Sequence, residues 1–200
     1  MSRVKICGIT RIEDAIACRE LRVDAIGLNF VPGSPRAVSV AQARAIVRAV
    51  PGLLVVGVIA DLDVDEARRL ATEAELGCLQ LHGDETPAAV SPLLPHAYKA
   101  VRVATAEDVA RARTYPGNYL LVDAKVEGML GGSGTTFDWS LVRDLAKERR
   151  LTLAGGLTPT NVAEAVKQLA PWCVDVASGV ELSPGVKDHA AIAAFLRAAR

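Results

Sequence analysis

Short apolar, β-rich runs alternate with amphipathic stretches from one end of the chain to the other. Eight of these runs, residues 4–9, 25–30, 53–60, 78–82, 98–103, 119–124, 151–154 and 173–177, predict strands. Most are apolar at consecutive positions, as parallel strands covered on both faces are. Between them lie helical patterns with marked starts. Thr10 with Glu13 and Ser39 with Gln42 have capping-box spacing, in which the hydroxyl accepts from the third following N–H and the Glu or Gln reaches back. Asp63, Thr105, Asp138 and Thr160 are candidate caps of four more helices, and a last helix is predicted over His189–Ala199.

Strand followed by helix, eight times in 200 residues, predicts an α/β fold of near-minimal length, a single-domain (β/α)8 TIM barrel over residues 1–200. The rival is a doubly wound parallel sheet. The barrel is preferred because glycine-rich loops follow the sixth, seventh and eighth strands alike, whereas a doubly wound sheet concentrates phosphate contacts at its switch point and first crossover. No low-complexity linker or charge block interrupts the pattern.

Composition narrows the function classes. With 50% hydrophobic and 23% charged residues the chain is an ordinary globular one, and a domain of this size removes roughly 70% of its unfolded surface from water, so it needs no staples. Lys+Arg 23 balances Asp+Glu 23, which leaves no field to draw the protein onto nucleic acid or anionic lipid. Cys7, Cys18, Cys78 and Cys173 form no C-x-x-C pair and have no matching His cluster, so zinc and redox readings lack support and a reducing cytoplasm is the simpler expectation. The start Met1-Ser2-Arg3 lacks the basic and apolar regions of a signal peptide, and no apolar run reaches the ~20 residues of a membrane span.

In a barrel the chemistry sits at the carboxyl ends of the strands and in the loops beyond them. Three such loops are glycine-rich: one with Gly132, Ser133 and Gly134, one with Gly155 and Gly156, and one with Ser178 and Gly179. Glycine lets backbone N–H groups approach an anion, and a helix N-terminus behind adds partial positive charge, so three loops in barrel order favour a phosphate site over mere tight turns. Asp123 ends the apolar run Tyr119-Leu120-Leu121-Val122, where loss of water can raise a carboxyl pKa and yield a general acid; a loop-ordering aspartate fits that feature equally well. Cys7 ends the first strand, where a following helix could lower a thiol pKa and create a base or nucleophile; a small buried hydrophobe is the other reading. Arg36, after Pro32-Gly33-Ser34-Pro35, could take a substrate carboxylate in a bidentate pair or simply be solvated. His82 reads as a wall or hydrogen-bonding residue, since no second metal ligand accompanies it.

These segments, namely Lys5-Ile6-Cys7-Gly8-Ile9-Thr10, Ser34-Pro35-Arg36, Leu79-Gln80-Leu81-His82-Gly83, Leu121-Val122-Asp123, Leu153-Ala154-Gly155-Gly156-Leu157 and residues 131–135, 175–181 and 184–188, resemble the phosphoribosylanthranilate isomerase family in order and spacing over residues 4–188. The resemblance implies a (β/α)8 barrel that performs an Amadori rearrangement in tryptophan biosynthesis with no metal and no organic cofactor. It further implies Cys7 as general base, Asp123 as general acid, Arg36 as the ligand of the anthranilate carboxylate, the three glycine-rich loops as the phosphate site, and Asp175 as a partner of a sugar hydroxyl. Ala177 stands where the family often has Ser, Ile59-Ala60-Asp61 replaces a common Phe-Val-Asn, and Asn29 and Ala37 sit where the family is more apolar or aromatic; these departures bear on substrate fit.

The rivals are another phosphosugar barrel, such as the Amadori isomerase of histidine biosynthesis, where an Asp would be expected in place of Cys7, a non-catalytic phospholigand-binding barrel, and a hydrolase using Cys7 and His82, for which no oxyanion or orienting partner is evident. The expected partner is a small phosphorylated sugar–anthranilate, with no nucleic acid and no membrane. Monomer and homodimer are both compatible with helix faces that show no long apolar seam.

Overall fold

A computed structural model of the chain describes residues 1–123 and 139–200. Eight strands, β1 (Arg3–Cys7), β2 (Ala25–Asn29), β3 (Leu54–Ile59), β4 (Cys78–Leu81), β5 (Ala97–Arg102), β6 (Tyr119–Asp123), β7 (Arg150–Ala154) and β8 (Cys173–Val176), pair in sequence order, and β8 returns to β1 to close the barrel. All eight pairings are parallel. The helices are α1 (Ile12–Glu20), α2 (Val40–Ala49), α3 (Val64–Glu73), the single turn α4 (Pro87–Val90), α5 (Ala106–Thr114), α6 (Arg143–Glu148), α7 (Val162–Leu169) and α8 (His189–Ala199). Among the described residues no helix is long and apolar enough to cross a membrane.

The strands alternate, and this corrects the expectation that most are apolar on both faces. Outward positions such as Val4 and Ile6, Ile26 and Leu28, Leu120 and Val122, Leu151 and Leu153, and Val174 and Val176 are buried against Ala15, Ile46, Leu145, Val162 and Phe195 of the helices. Inward positions carry a mixed set in which Lys5, Gln80, Thr152 and Asp175 are buried polar residues. The inward side chains meet one another across the barrel axis, so a charge there can be matched by another strand. Lys5 and Asp175 lie directly opposite in the β1–β8 register, and Lys5 Nζ donates to Asp175 Oδ2 at 3.0 Å.

Strands end a little earlier than the apolar runs do. Gly8 adopts φ +75 and turns the chain at the end of β1, although the next residue, Ile9, stays fully buried. The capping boxes of Ser39 with Gln42 and of Asp63 with Glu66 form, and Thr105 caps α5 in the same way with Asp108. The Thr10–Glu13 box does not form, because α1 begins at Ile12 behind an Arg11 that makes no side-chain cap, while the Thr10 hydroxyl donates to the Gly185 carbonyl at 2.6 Å. Likewise α7 starts behind Asn161, and the Thr160 hydroxyl bonds that of Thr158 at 2.9 Å. Asp138 lies outside the described residues. A short antiparallel hairpin, β9 (Glu181–Ser183) and β10 (Val186–Lys187), lies between β8 and α8; its Pro184-Gly185 turn, with Gly185 at φ +82, has the residues a type II turn uses.

Candidate active site at the carboxyl ends of the strands

Two cavities mark the ends of the barrel axis. At the amino ends of the strands a cavity of about 200 Å³ is lined by Arg3, Lys5, Tyr98, Tyr119 and Trp172 among others. At the carboxyl ends a cavity of about 300 Å³ collects Cys7, Arg36, His82, Asp123, Gly155, Gly156, Asp175, Ser178 and Gly179, each from a different part of the chain or from adjoining loops. The second collects the candidate groups and lies where barrel folds generally carry their active sites. Gly132, Ser133 and Gly134 lie outside the described residues.

Cys7 projects from the last position of β1 beside Gly27 of β2, where a Cβ would stand 2.7 Å from the Cys7 sulfur, so the glycine makes room for the thiol. Burial pushes the Cys7 thiol above its ordinary range, and the nearby Lys5 and Lys187 ammonium groups oppose that rise. This reverses the expected lowering by a helix N-terminus. The physical reason is burial of the thiol, to which the nearby Asp175 carboxylate adds; α1 starts only at Ile12, and the ammonium groups of Lys5 and Lys187 offset the rise only in part.

Across the cavity Asp123 ends β6 with its side chain 22% exposed, and its Oδ2 stands 3.5 Å from His82 Nε2. Behind it the Tyr98 hydroxyl, kept protonated by burial, donates to Gln80 Oε1 at 3.0 Å, and the amide nitrogen of Gln80 lies 2.9 Å from His82 Nδ1. That order of donors fits a His82 whose proton is on Nε2, facing Asp123. His82 lines the cavity between Gln80 and Asp123. Among the described residues no group of three or more His, Cys, Asp or Glu could hold a metal ion.

The loop carrying Arg36 is ordered from within. Asn29 Oδ1 accepts from Val31 N at 2.7 Å, its Nδ2 donates to Ser34 Oγ at 3.1 Å, and Ser34 Oγ accepts from Arg36 N at 3.2 Å. Asn29 closes β2 and braces the turn that follows. The Arg36 guanidinium reaches the cavity wall but is already engaged, with Nε and Nη2 donating to the two oxygens of Glu181 at 2.8 and 2.6 Å.

The two described glycine-rich loops converge. A Cβ on Gly179 would lie 2.0 Å from the Leu157 carbonyl oxygen, so the loop after β8 approaches the loop after β7 as closely as only glycine permits. Gly155 and Gly156 both have positive φ, and Asn161 pins this loop by accepting from Thr158 N at 2.8 Å and donating to the Gly156 carbonyl at 3.0 Å. Asp175 lines the same cavity; its Oδ2 is held by Lys5, and its buried Oδ1 has no hydrogen-bond partner among the described residues.

Four residues with parts in this arrangement were not singled out by position in the sequence: Lys5, Gln80, Glu181 and Lys187. Lys5 and Asp175 each interrupt an otherwise apolar strand, which is a signal that the two could be partners. Glu181 and Lys187 flank a turn and carry no local sign of burial, yet their side chains are 4% and 0% exposed.

A family model described as N-(5′phosphoribosyl)anthranilate (PRA) isomerase matches residues 4–198. The chain is 49% identical over 204 residues to the N-(5′-phosphoribosyl)anthranilate isomerase of Myxococcus xanthus, covering 99% of this chain and 96% of that one. It is similar in structure to the phosphoribosyl anthranilate isomerase of Thermotoga maritima, with a TM-score of 0.91, 40% identity, and coverage of 100% of this chain and 98% of the other. A further structure of such an isomerase, in complex with reduced 1-(o-carboxyphenylamino)-1-deoxyribulose 5-phosphate, matches with a TM-score of 0.88 and 37% identity over 100% of this chain and 98% of that one.

Proposed function

The chain belongs to the N-(5′-phosphoribosyl)anthranilate isomerase family, and we propose that, as one cytoplasmic (β/α)8 domain over residues 1–200, it converts N-(5-phosphoribosyl)anthranilate to 1-(2-carboxyphenylamino)-1-deoxyribulose 5-phosphate in tryptophan biosynthesis. The observation that carries this reading is the convergence of Cys7, Asp123, Arg36 and the glycine-rich loops after β7 and β8 on one cavity. Each group matches one part of the substrate. The backbone N–H groups around Gly155, Gly156, Ser178 and Gly179 hold the phosphate, jointly with Gly132, Ser133 and Gly134, and Arg36 takes the ring carboxylate. Asp175 Oδ1, buried without a protein partner, accepts from a sugar hydroxyl.

Asp123 donates its proton to the furanose ring oxygen; the C1–O bond breaks, and the electron pair on nitrogen forms the iminium. The Cys7 thiolate then removes the C2 proton, whose acidity the iminium has raised, and the electrons of that C–H bond return toward nitrogen to give an enolamine. Tautomerisation of the enol delivers the ketone. The two groups start in opposite protonation states. Burial works against a thiolate at Cys7, and Lys5 and Lys187 supply the opposing charge. No step calls for a cofactor.

The test is turnover of freshly made phosphoribosylanthranilate, followed by loss of anthranilate-type fluorescence. We expect wild type to turn over, and Cys7→Ser and Asp123→Asn each to lose roughly 10²-fold or more in kcat. A wild type that binds the phosphorylated substrate but leaves it unchanged would retire the isomerase reading in favour of a different phosphosugar barrel or a phospholigand-binding one.

A further inference from the structure

Arg36, Glu181 and Lys187 form a charge cluster that joins three loops of the site. Glu181 receives two hydrogen bonds from Arg36 and one from Lys187 Nζ at 2.8 Å, and Lys187 Nζ also donates to the carbonyls of Cys7 and Ala177 at 2.6 and 3.1 Å. Burial pushes the Glu181 carboxyl up, but the bonds from Arg36 and Lys187 outweigh it and hold the group at about 2. Two cations therefore share one carboxylate. The cluster keeps one positive charge in excess, placed where the cavity meets the loop after β2.

The pairing also has a direction. Glu181 occupies the Nε and Nη2 side of the guanidinium, and among the described residues Nη1 has no hydrogen-bond partner. The Arg36 stem passes over the end of β1, where a Cβ on Gly8 would stand 2.4 Å from Arg36 Cδ. Gly8 thus clears the path, and Glu181 fixes the rotation of the head. A planar guanidinium held by one edge presents its other edge in a set plane, which is what bidentate recognition of a carboxylate needs.

We propose that Glu181 is a positioning residue for substrate specificity: it fixes Arg36 so that the Nη1 edge faces the ring carboxylate of the substrate, while Lys187 neutralises Glu181 and leaves the positive charge of Arg36 available to that carboxylate. The proposal rests on the reading of Arg36 as the carboxylate ligand. It predicts that Glu181 matters to the degree that the substrate carries that carboxylate.

The experiment compares wild type, Glu181→Gln, Glu181→Asp, Arg36→Ala and the Arg36→Ala/Glu181→Gln double variant on two substrates, phosphoribosylanthranilate and the corresponding phosphoribosyl derivative of aniline, which lacks the carboxylate. For Glu181→Gln we expect KM to rise about tenfold on the first substrate with kcat within about threefold, and KM to move by no more than about twofold on the second. In the Arg36→Ala background the Glu181 substitution adds no further loss, because the group it positions is gone. Equal losses on both substrates, or an undiminished loss in the Arg36→Ala background, would make Glu181 a loop brace and overturn the proposal. If Arg36→Ala itself weakens both substrates alike, the carboxylate reading of Arg36 fails, and the positioning role fails with it. Should Glu181→Gln not fold, Glu181→Asp keeps the charge, shortens its reach by one methylene, and is held to the same selective rise in KM.

Discussion

Lys99 and Lys187 are both ammonium groups taken out of water, and each is paired with one glutamate and donates to backbone carbonyls. Lys99 Nζ stands 3.1 Å from Glu85 and donates to the carbonyls of Leu81, Gly83 and Ala100. Lys187 Nζ stands 2.8 Å from Glu181 and donates to those of Cys7 and Ala177. What separates them is the rest of the glutamate. Glu85 spends its Oε1 on the backbone N–H groups of Asp61 and Gly83, so its side chain ties the loops after β3 and β4 together. Glu181 accepts one backbone N–H, that of Gly185 in its own hairpin at 3.3 Å, and two bonds from Arg36, a side chain that lines the cavity. One ion pair braces loops, and the other aims a cation.

The largest expected effect tests the bracing side. Lys99→Met leaves the Glu85 carboxylate buried at 4% exposure without its cation, which should cost about 3–5 kcal/mol in urea unfolding while KM for phosphoribosylanthranilate stays within about twofold. A KM shift as large as that of Glu181→Gln would erase the distinction between the two lysines. Replacing both partners, Lys99→Met with Glu85→Leu, removes the stranded charge, and the stability deficit should shrink to the order of 1 kcal/mol. A double variant no better than the single one would mean that the loop contacts of Glu85, and not its charge, carry the effect.

The acid limb of stability sharpens the other side. In the folded chain Glu181 is held at about 2, below its ordinary 4.5, so its contribution is complete above about pH 4.5 and is lost as pH falls toward 2. Urea midpoints measured across that window should therefore fall more steeply for wild type than for Glu181→Gln; parallel curves would show that the cluster does not hold the carboxylate ionised. The smallest effect comes from Thr10→Val, which removes the 2.6 Å bond to the Gly185 carbonyl and should cost about 1 kcal/mol without changing discrimination between the two substrates. A loss of discrimination there would assign the placement of Arg36 to the docking of the hairpin and not to Glu181.

Local pattern carried most of the architecture. The eight strands, the capping box at Ser39, the caps at Asp63 and Thr105 and the helix His189–Ala199 are visible as short-range signals, because apolar runs and side-chain capping act over a few residues. Thr10 shows the limit. It has the spacing of a capping box, but a carbonyl of the β9–β10 hairpin, 175 positions away, takes its hydroxyl. The strand-end rule also puts Cys7, Asp123, His82 and Arg36 near one mouth from their order along the chain, and all four line one cavity. It could not show that burial raises the Cys7 thiol, since that burial depends on elements far along the chain, and of the charged neighbours only Lys5 is local while Asp175 and Lys187 are not.

The order of the elements, the residues at the strand ends and the family motifs were therefore determined by the sequence alone, each being a property of neighbours along the chain. Pairings across the barrel were decided by tertiary structure. Lys5 meets Asp175 at a separation of 170 positions, and Arg36 meets Glu181 at 145. Closure of β8 onto β1 brings both pairs within reach, and no local rule selects a partner for a charge that will be buried. Once water is excluded, an unmatched charge is too costly to keep, so the closed barrel itself dictates that these groups find each other.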